Sequence, residues 1–285
     1  MNIALIQDRL REYACATSLE EECATKEIVQ EVCLAALSRA GFFRKAVFQG
    51  GTALRVLYQL PRFSEDLDFI LKAPDRKFVM DKFLRKVVEE LNDYGFRFEF
   101  QDRSRVDENV RKAFLKDDSW ASILTFQHLA PRSTRPKKIQ IKIEVDTNPP
   151  DGSVSEGRIL DYPFPFTIVV QDMPSLLAGK SHALLCRPFI KGRDWYDFLW
   201  YARKRTQPNL TFLKNALYQT GPWKGLNVDV TSDWYYDSME KRIEAIDWDE
   251  AKRDIRRFLR AIEIPSIDLW NRSFFQQQLT KMRRS

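Results

Sequence analysis

Residues 45–71 constrain this chain more than any other stretch. Lys45 to Gln49 reads as a short apolar strand, and Gly50-Gly51 pinch the backbone behind it. Thr52 to Leu60 reads as a helix stopped by Pro61, and Leu67 to Leu71 as a second strand, entered through Asp66 and Asp68. Acids at alternate positions of a strand point to one face, with Cα atoms roughly 7 Å apart. Glycines admit backbone conformations closed to residues bearing a Cβ, and they let N–H groups approach a ligand closely. The helix that follows directs its N-terminus, which favours negative charge, at the same place. Two carboxylates beside such a turn can hold a divalent cation against a bound phosphate. That arrangement is expected of an enzyme that moves nucleotides.

The organisation around this segment reads as α+β. Ser18 and Glu21 form a capping box ahead of a helix over about 19–40, and a long helix follows over about 75–93, ended by Gly95. Strand-like runs come next at Phe96–Asp102, Ser119–Gln127 and Lys137–Asp146. In the last, Ile139, Ile141, Ile143 and Val145 alternate cleanly with polar residues. Residues 147–163 are rich in Pro, Gly, Ser and Asp and read as a loop, with one more strand at Phe166–Val170. Asp172 then suits an N-cap, and helical patterning dominates at 173–187, 193–204, 209–219 and 249–262. An α+β domain over 1–171 and a helical domain over 172–285 follow from this change of character.

Composition excludes several classes. No apolar run approaches the roughly 18 residues of a membrane span, and the N-terminus lacks a signal-peptide pattern, so the expected location is cytoplasmic. Cys15, Cys23, Cys33 and Cys186 show no CxxC spacing. With only two histidines in the chain, they read as free, mostly buried thiols and not as a zinc site. The net charge of +6 says little by itself, but Lys252, Arg253, Arg256, Arg257 and Arg260 recur at helical spacing, and a second basic cluster covers 72–86. Each is an ordinary solvated face unless a nucleotide-transfer site lies elsewhere in the chain, in which case it suits nucleic acid.

Two-metal phosphoryl chemistry ordinarily needs a third acid. Glu144 and Asp146, on the polar face of the alternating strand, are the candidates. Glu144 is favoured because Asp146 could belong to the loop. Further on, Lys180 and Arg187 share a helix face, as do Asp194 and Asp197 on the next helix. An acid set among Trp195, Tyr196 and Phe198 should pair with Lys180 or Arg187.

With these segments in view, the chain resembles the AbiEii/AbiGii toxin family of nucleotidyltransferases, which includes the MenT toxins. The resemblance rests on Gly50-Gly51-Thr52-Ala53-Leu54, on Arg62-Phe63-Ser64-Glu65-Asp66-Leu67-Asp68, on Lys180 through Arg187, and on Arg193-Asp194-Trp195-Tyr196-Asp197. These four stretches stand in the family's order over about half of the chain. It implies a DNA polymerase β-like fold, with Asp66 and Asp68 as metal ligands and Gly50, Gly51 and Thr52 cradling the nucleotide phosphates. Arg62, Ser64 and Arg187 join that nucleotide-binding set. Lys180 would contact phosphate, and Asp194 or Asp197 would be the essential acid of the last stretch. It further implies a type IV-like toxin–antitoxin system, with a cognate antitoxin and a tRNA acceptor.

The resulting expectation is a Mg²⁺- or Mn²⁺-dependent nucleotidyltransferase using a nucleoside triphosphate (NTP), with catalytic residues Asp66, Asp68, Glu144, Lys180, Asp194 and Asp197. Glu144 would help hold the metal and receive the acceptor's proton. The rivals keep the scaffold and change the acceptor to a protein or a small molecule, or lose catalysis and leave a binding module.

Overall fold

A computed structural model of the chain describes residues 3–103, 109–129 and 138–284. The chain divides into two compact units. The first comprises 1–59, 63–149 and 157–170, and the second comprises 60–62, 150–156 and 171–285.

The first unit opens with α1 (Ile3–Glu12) and α2 (Ser18–Arg39). Thr17, not Ser18, caps α2: its hydroxyl accepts from the Glu20 N–H at 3.2 Å, while the Glu20 carboxylate accepts from the Ala16 N–H at 2.9 Å. The capping logic holds one residue earlier than the sequence suggests, because Glu21 is committed elsewhere. Its carboxylate accepts the backbone N–H groups of Gln127 (2.6 Å), His128 (3.1 Å) and Leu129 (2.7 Å). Next come β1 (Ala46–Gln49), α3 (Gly50–Tyr58), β2 (Asp66–Leu71) and α4 (Asp81–Asp93), then β3 (Glu99–Asp102), β4 (Val110–Asp117), α5 (Trp120–Ile123) and β5 (Ile139–Asp146). β6 (Ser155–Leu160) and β7 (Phe166–Gln171) complete a seven-stranded mixed sheet in the order β3-β4-β5-β2-β1-β7-β6. β2 lies antiparallel to β1 and parallel to β5 at its centre.

Three sequence expectations change here. The run 119–127 is not a strand. The buried Asp117 accepts the N–H groups of Ser119 (2.7 Å) and Trp120 (2.8 Å) and starts the short α5. The strand lies upstream, as β4, whose buried positions alternate as Ala113, Leu115 and Asp117. α4 starts at Asp81 and not at 75, since Asp75 accepts the Lys77 N–H at 2.9 Å and donates its own to the Thr147 carbonyl at 2.9 Å, fixing a turn. The stretch 147–163 contains β6, a mostly exposed strand without an apolar stripe. Lys137, expected to begin β5, lies outside the described residues.

The second unit is helical: α6 (Met173–Cys186), α7 (Gly192–Arg203), α8 (Leu210–Gln219), α9 (Ser232–Glu244), α10 (Trp248–Ile255) and α11 (Arg272–Arg283). Asp172 caps α6 as its sequence position suggests, accepting from the Ser175 N–H at 2.9 Å. The helix expected to run to 262 ends at Ile255 and continues as 3₁₀ turns. α9 and α11 were not legible in the sequence. Trp195, Trp248 and Phe275 anchor the unit's core, with the Trp248 and Phe275 rings stacked at 4.1 Å. A Cβ at Gly192 would collide with the Ala251 carbonyl, so that glycine lets α7 and α10 pack directly.

The four cysteines are free, with Cys33 buried and the other three only half-buried. Among the described residues, no helix is long and apolar enough to cross a membrane.

Candidate active site

In the first unit, the candidate side chains collect on one face of β2 and β5. The parallel register sets Asp66 opposite Lys142 and Asp68 opposite Glu144. Side chains paired in register share a face of the sheet, so the two aspartates, Glu144 and Lys142 form a patch of four. Asp146, the last residue of β5, lies at the far end of the same alternation. β4 adds Lys112, in register with Glu144.

Gly50 meets this patch. Its φ is +82°, in the left-handed region, and a Cβ built there would lie 2.6 Å from Asp68 Oδ2 and 3.1 Å from Asp68 Cβ. The Asp68 carboxylate thus rests against a bare Cα at the first turn of α3, a place only glycine can make. Beneath it, Thr52 is fully buried. Its hydroxyl is bonded to the Ser64 hydroxyl at 2.9 Å and to the Asp66 carbonyl oxygen. Thr52 and Ser64 therefore tie α3 to the start of β2, and these contacts fix the strand that carries the aspartates.

The carboxylate of Glu144 carries two lysines: Lys142 Nζ is 2.6 Å from Oε2, and Lys112 Nζ is 3.5 Å from Oε1. Partial burial pulls the Lys142 pKa down, but the bond to Glu144 and the fields of Glu144, Asp66 and Asp68 outweigh it. Lys142 stands above the ordinary lysine value as a result. Among the described residues, no group of three or more His, Cys, Asp or Glu side chains is placed to hold a metal ion. The Asp66–Asp68 pair nevertheless fits Mg²⁺ chemistry: two hard oxygen donors, with phosphate oxygens and water completing the shell. Lys142 was not among the sequence candidates. Its signal was parity, since it alternates in phase with Glu144 and lies within two residues of it.

The second unit holds a buried charge cluster. Arg62 presents its fork to Asp197, Nε to Oδ1 and Nη2 to Oδ2, both at 2.6 Å, with 2% and 0% of the two side chains exposed. Lys180 Nζ lies 2.8 Å from both Asp194 Oδ1 and Asp197 Oδ2, and Arg187 pairs with Asp194. Burial pushes the Asp194 carboxyl up, yet Lys180 and Arg187 overcome it and hold it below the usual carboxylate range. Burial likewise lowers Lys180, and the two aspartates lift it above its ordinary value. The expected pairing of these acids with Lys180 and Arg187 is present. Arg62, expected among the nucleotide ligands, lies in this cluster as the bidentate partner of Asp197.

Solved structures share this architecture. Over 93% of this chain and 94% of theirs, an H. pylori protein described provisionally as a nucleotidyltransferase superposes with a TM-score of 0.52 at 15% identity. JHP933 from Helicobacter pylori gives 0.51 at 15% identity, covering 93% of this chain and 91% of that one. Identity that low speaks for the fold alone, and the fold class is that of nucleotidyltransferases. The sequence carries the assignment further. A family model for the nucleotidyl transferase AbiEii toxin of type IV toxin–antitoxin systems matches residues 32–276, and the chain belongs to that family. A search among curated proteins finds no match.

Proposed function

We propose that this protein transfers a nucleotide from an NTP to an RNA acceptor, the 3′ end of a tRNA, as the toxin of a pair with a cognate antitoxin, in the cytoplasm. The acceptor hydroxyl oxygen gives up its proton to Glu144 and forms a bond to the α-phosphorus, the bond from that phosphorus to the oxygen bridging it to the β-phosphate breaks, and pyrophosphate leaves. Asp66 and Asp68 would hold Mg²⁺ or Mn²⁺, which when bound neutralises charge on the phosphate oxygens. Gly50 and Gly51 bring the N-terminus of α3 to the phosphates, where its N–H groups favour negative charge. Such catalysis is mainly positioning and electrostatics.

The observation that carries this reading is the seat of the Asp68 carboxylate on the bare Cα of Gly50, at a helix start, with Asp66 on the same face. Exposed Arg253, Arg256 and Arg257 support a polyanionic acceptor. The test incubates the protein with Mg²⁺, each of the four labelled triphosphates and total tRNA. Label should appear on RNA and disappear with Asp68→Ala, the fold being checked by circular dichroism. Transfer retained in that variant refutes the metal assignment, and label found only on protein or a small molecule replaces the acceptor.

A further inference from the structure

We propose that Lys142 is a built-in competitor for the divalent ion: its ammonium weakens binding of the free ion to the Asp66–Asp68 face and strengthens binding of the ion–triphosphate complex, so that the two arrive together. The inference rests on the nucleotide-transfer reading of that face.

Register and charge carry it. Lys142 lies directly opposite Asp66 on the neighbouring parallel strand, two register pairs along from Asp68 and Glu144 and on the same face. It is tethered at 2.6 Å to Glu144, with 30% of its side chain exposed, so it is held over the patch without being sealed into the core. Lys112 approaches the other Glu144 oxygen at 3.5 Å. Among these register positions, three carboxylates face two ammonium groups. Any polar residue would satisfy the alternation of β5 at position 142. A lysine there puts a fixed positive charge beside the pair that would hold the ion.

The consequence has opposite signs for two ligands. A free divalent ion is repelled by the ammonium. A unit charge about 6 Å from a divalent ion changes its affinity about tenfold even at the dielectric of water. An ion already carried on a triphosphate belongs to a complex of net negative charge, which the same ammonium attracts. Replacing Lys142 should therefore tighten one ligand and loosen the other. A residue that merely holds the sheet together would shift both in one direction.

The experiment measures Mn²⁺ binding by the free-ion electron paramagnetic resonance signal, and binding of Mn²⁺ with a non-hydrolysable triphosphate analogue by calorimetry. Both are run on the full chain and on Lys142→Met and Lys142→Arg. Lys142→Met should bind Mn²⁺ alone about tenfold more tightly, with the gain shrinking at high salt, and should bind the Mn²⁺–analogue complex more weakly. Lys142→Arg should behave as the parent. Lys142→Gln repeats the measurement should Lys142→Met not fold. Unchanged or weaker Mn²⁺ binding by the variant, or a same-direction shift for both ligands, overturns the inference while leaving the transfer reading intact. A parent protein that binds no Mn²⁺ with or without the analogue overturns both.

Discussion

The Arg62–Asp197 pair offers the most decisive test of how the second unit is held together. Both groups are almost wholly buried, and the fork makes two bonds of 2.6 Å. Removing one partner leaves the other charge in a poorly solvating interior, which costs about 3–5 kcal/mol, whereas removing both is close to neutral. Asp197→Leu should fall at the upper end of that range, because Lys180, 2.8 Å away, loses an acceptor as well. Arg62→Met should be softer, since Asp197 keeps the Lys180 ammonium. The double variant should cost no more than the worse single, giving a coupling energy at least as large as the milder single loss, about 3 kcal/mol or more. Urea denaturation followed by tryptophan fluorescence suits the question. Trp195, Trp200, Trp223, Trp234, Trp248 and Trp270 all lie in the second unit, leaving Trp120 alone in the first. Additive losses, or single variants that cost less than about 1 kcal/mol, would refute the argument.

Three further outcomes follow from the first unit. Gly50→Ala forces a Cβ to 2.6 Å from Asp68 Oδ2 at a φ of +82°; it should lose roughly 1–3 kcal/mol of stability together with nucleotide transfer, and a fully stable, active variant contradicts the cradle. Burial pushes the Glu31 carboxyl from 4.5 up to about 7 against the pull of Arg9. Glu31 binds its proton more tightly when folded, so its contribution is complete below pH 4.5 and is lost as pH rises through about 7. Glu31→Gln should flatten the fall in stability between pH 5 and 8, measured by urea titration at each pH; an unchanged slope rejects the assignment. Glu21→Ala strips the acceptor from three consecutive N–H groups, at roughly 1–3 kcal/mol. Hydrogen exchange at Gln127, His128 and Leu129 should accelerate, and amides that exchange as before would show that other contacts hold the segment.

Local signals explain what could be read from the chain itself. The alternation in β5, the glycine pair at the start of α3 and the Asp172 cap are short-range stereochemistry, and each emerged where its residues lie. By contrast, α3 stops at Tyr58, ahead of the expected Pro61, because Gln59 turns left-handed and caps it. The α+β class and the one-faced pairing of Asp66 with Asp68 follow from the same period-two geometry. Elements whose patterning is set by partners did not emerge. β4 (Val110-Arg111-Lys112-Ala113-Phe114-Leu115-Lys116-Asp117) lacks a clean apolar alternation and is a strand because β5 and β3 flank it. β6 is largely exposed, and α9 is recognisable mainly once Thr231 is seen to accept the Trp234 N–H. Pairings between distant residues were beyond sequence altogether, because no spacing rule connects Arg62 to Asp197 or Lys142 to Asp66. The chain determined by itself that Asp66 and Asp68 share a strand face and that a glycine pair opens α3. Only the tertiary register decided which cations stand beside them, since a strand's neighbour is selected by packing across the whole sheet and not by the strand's own residues.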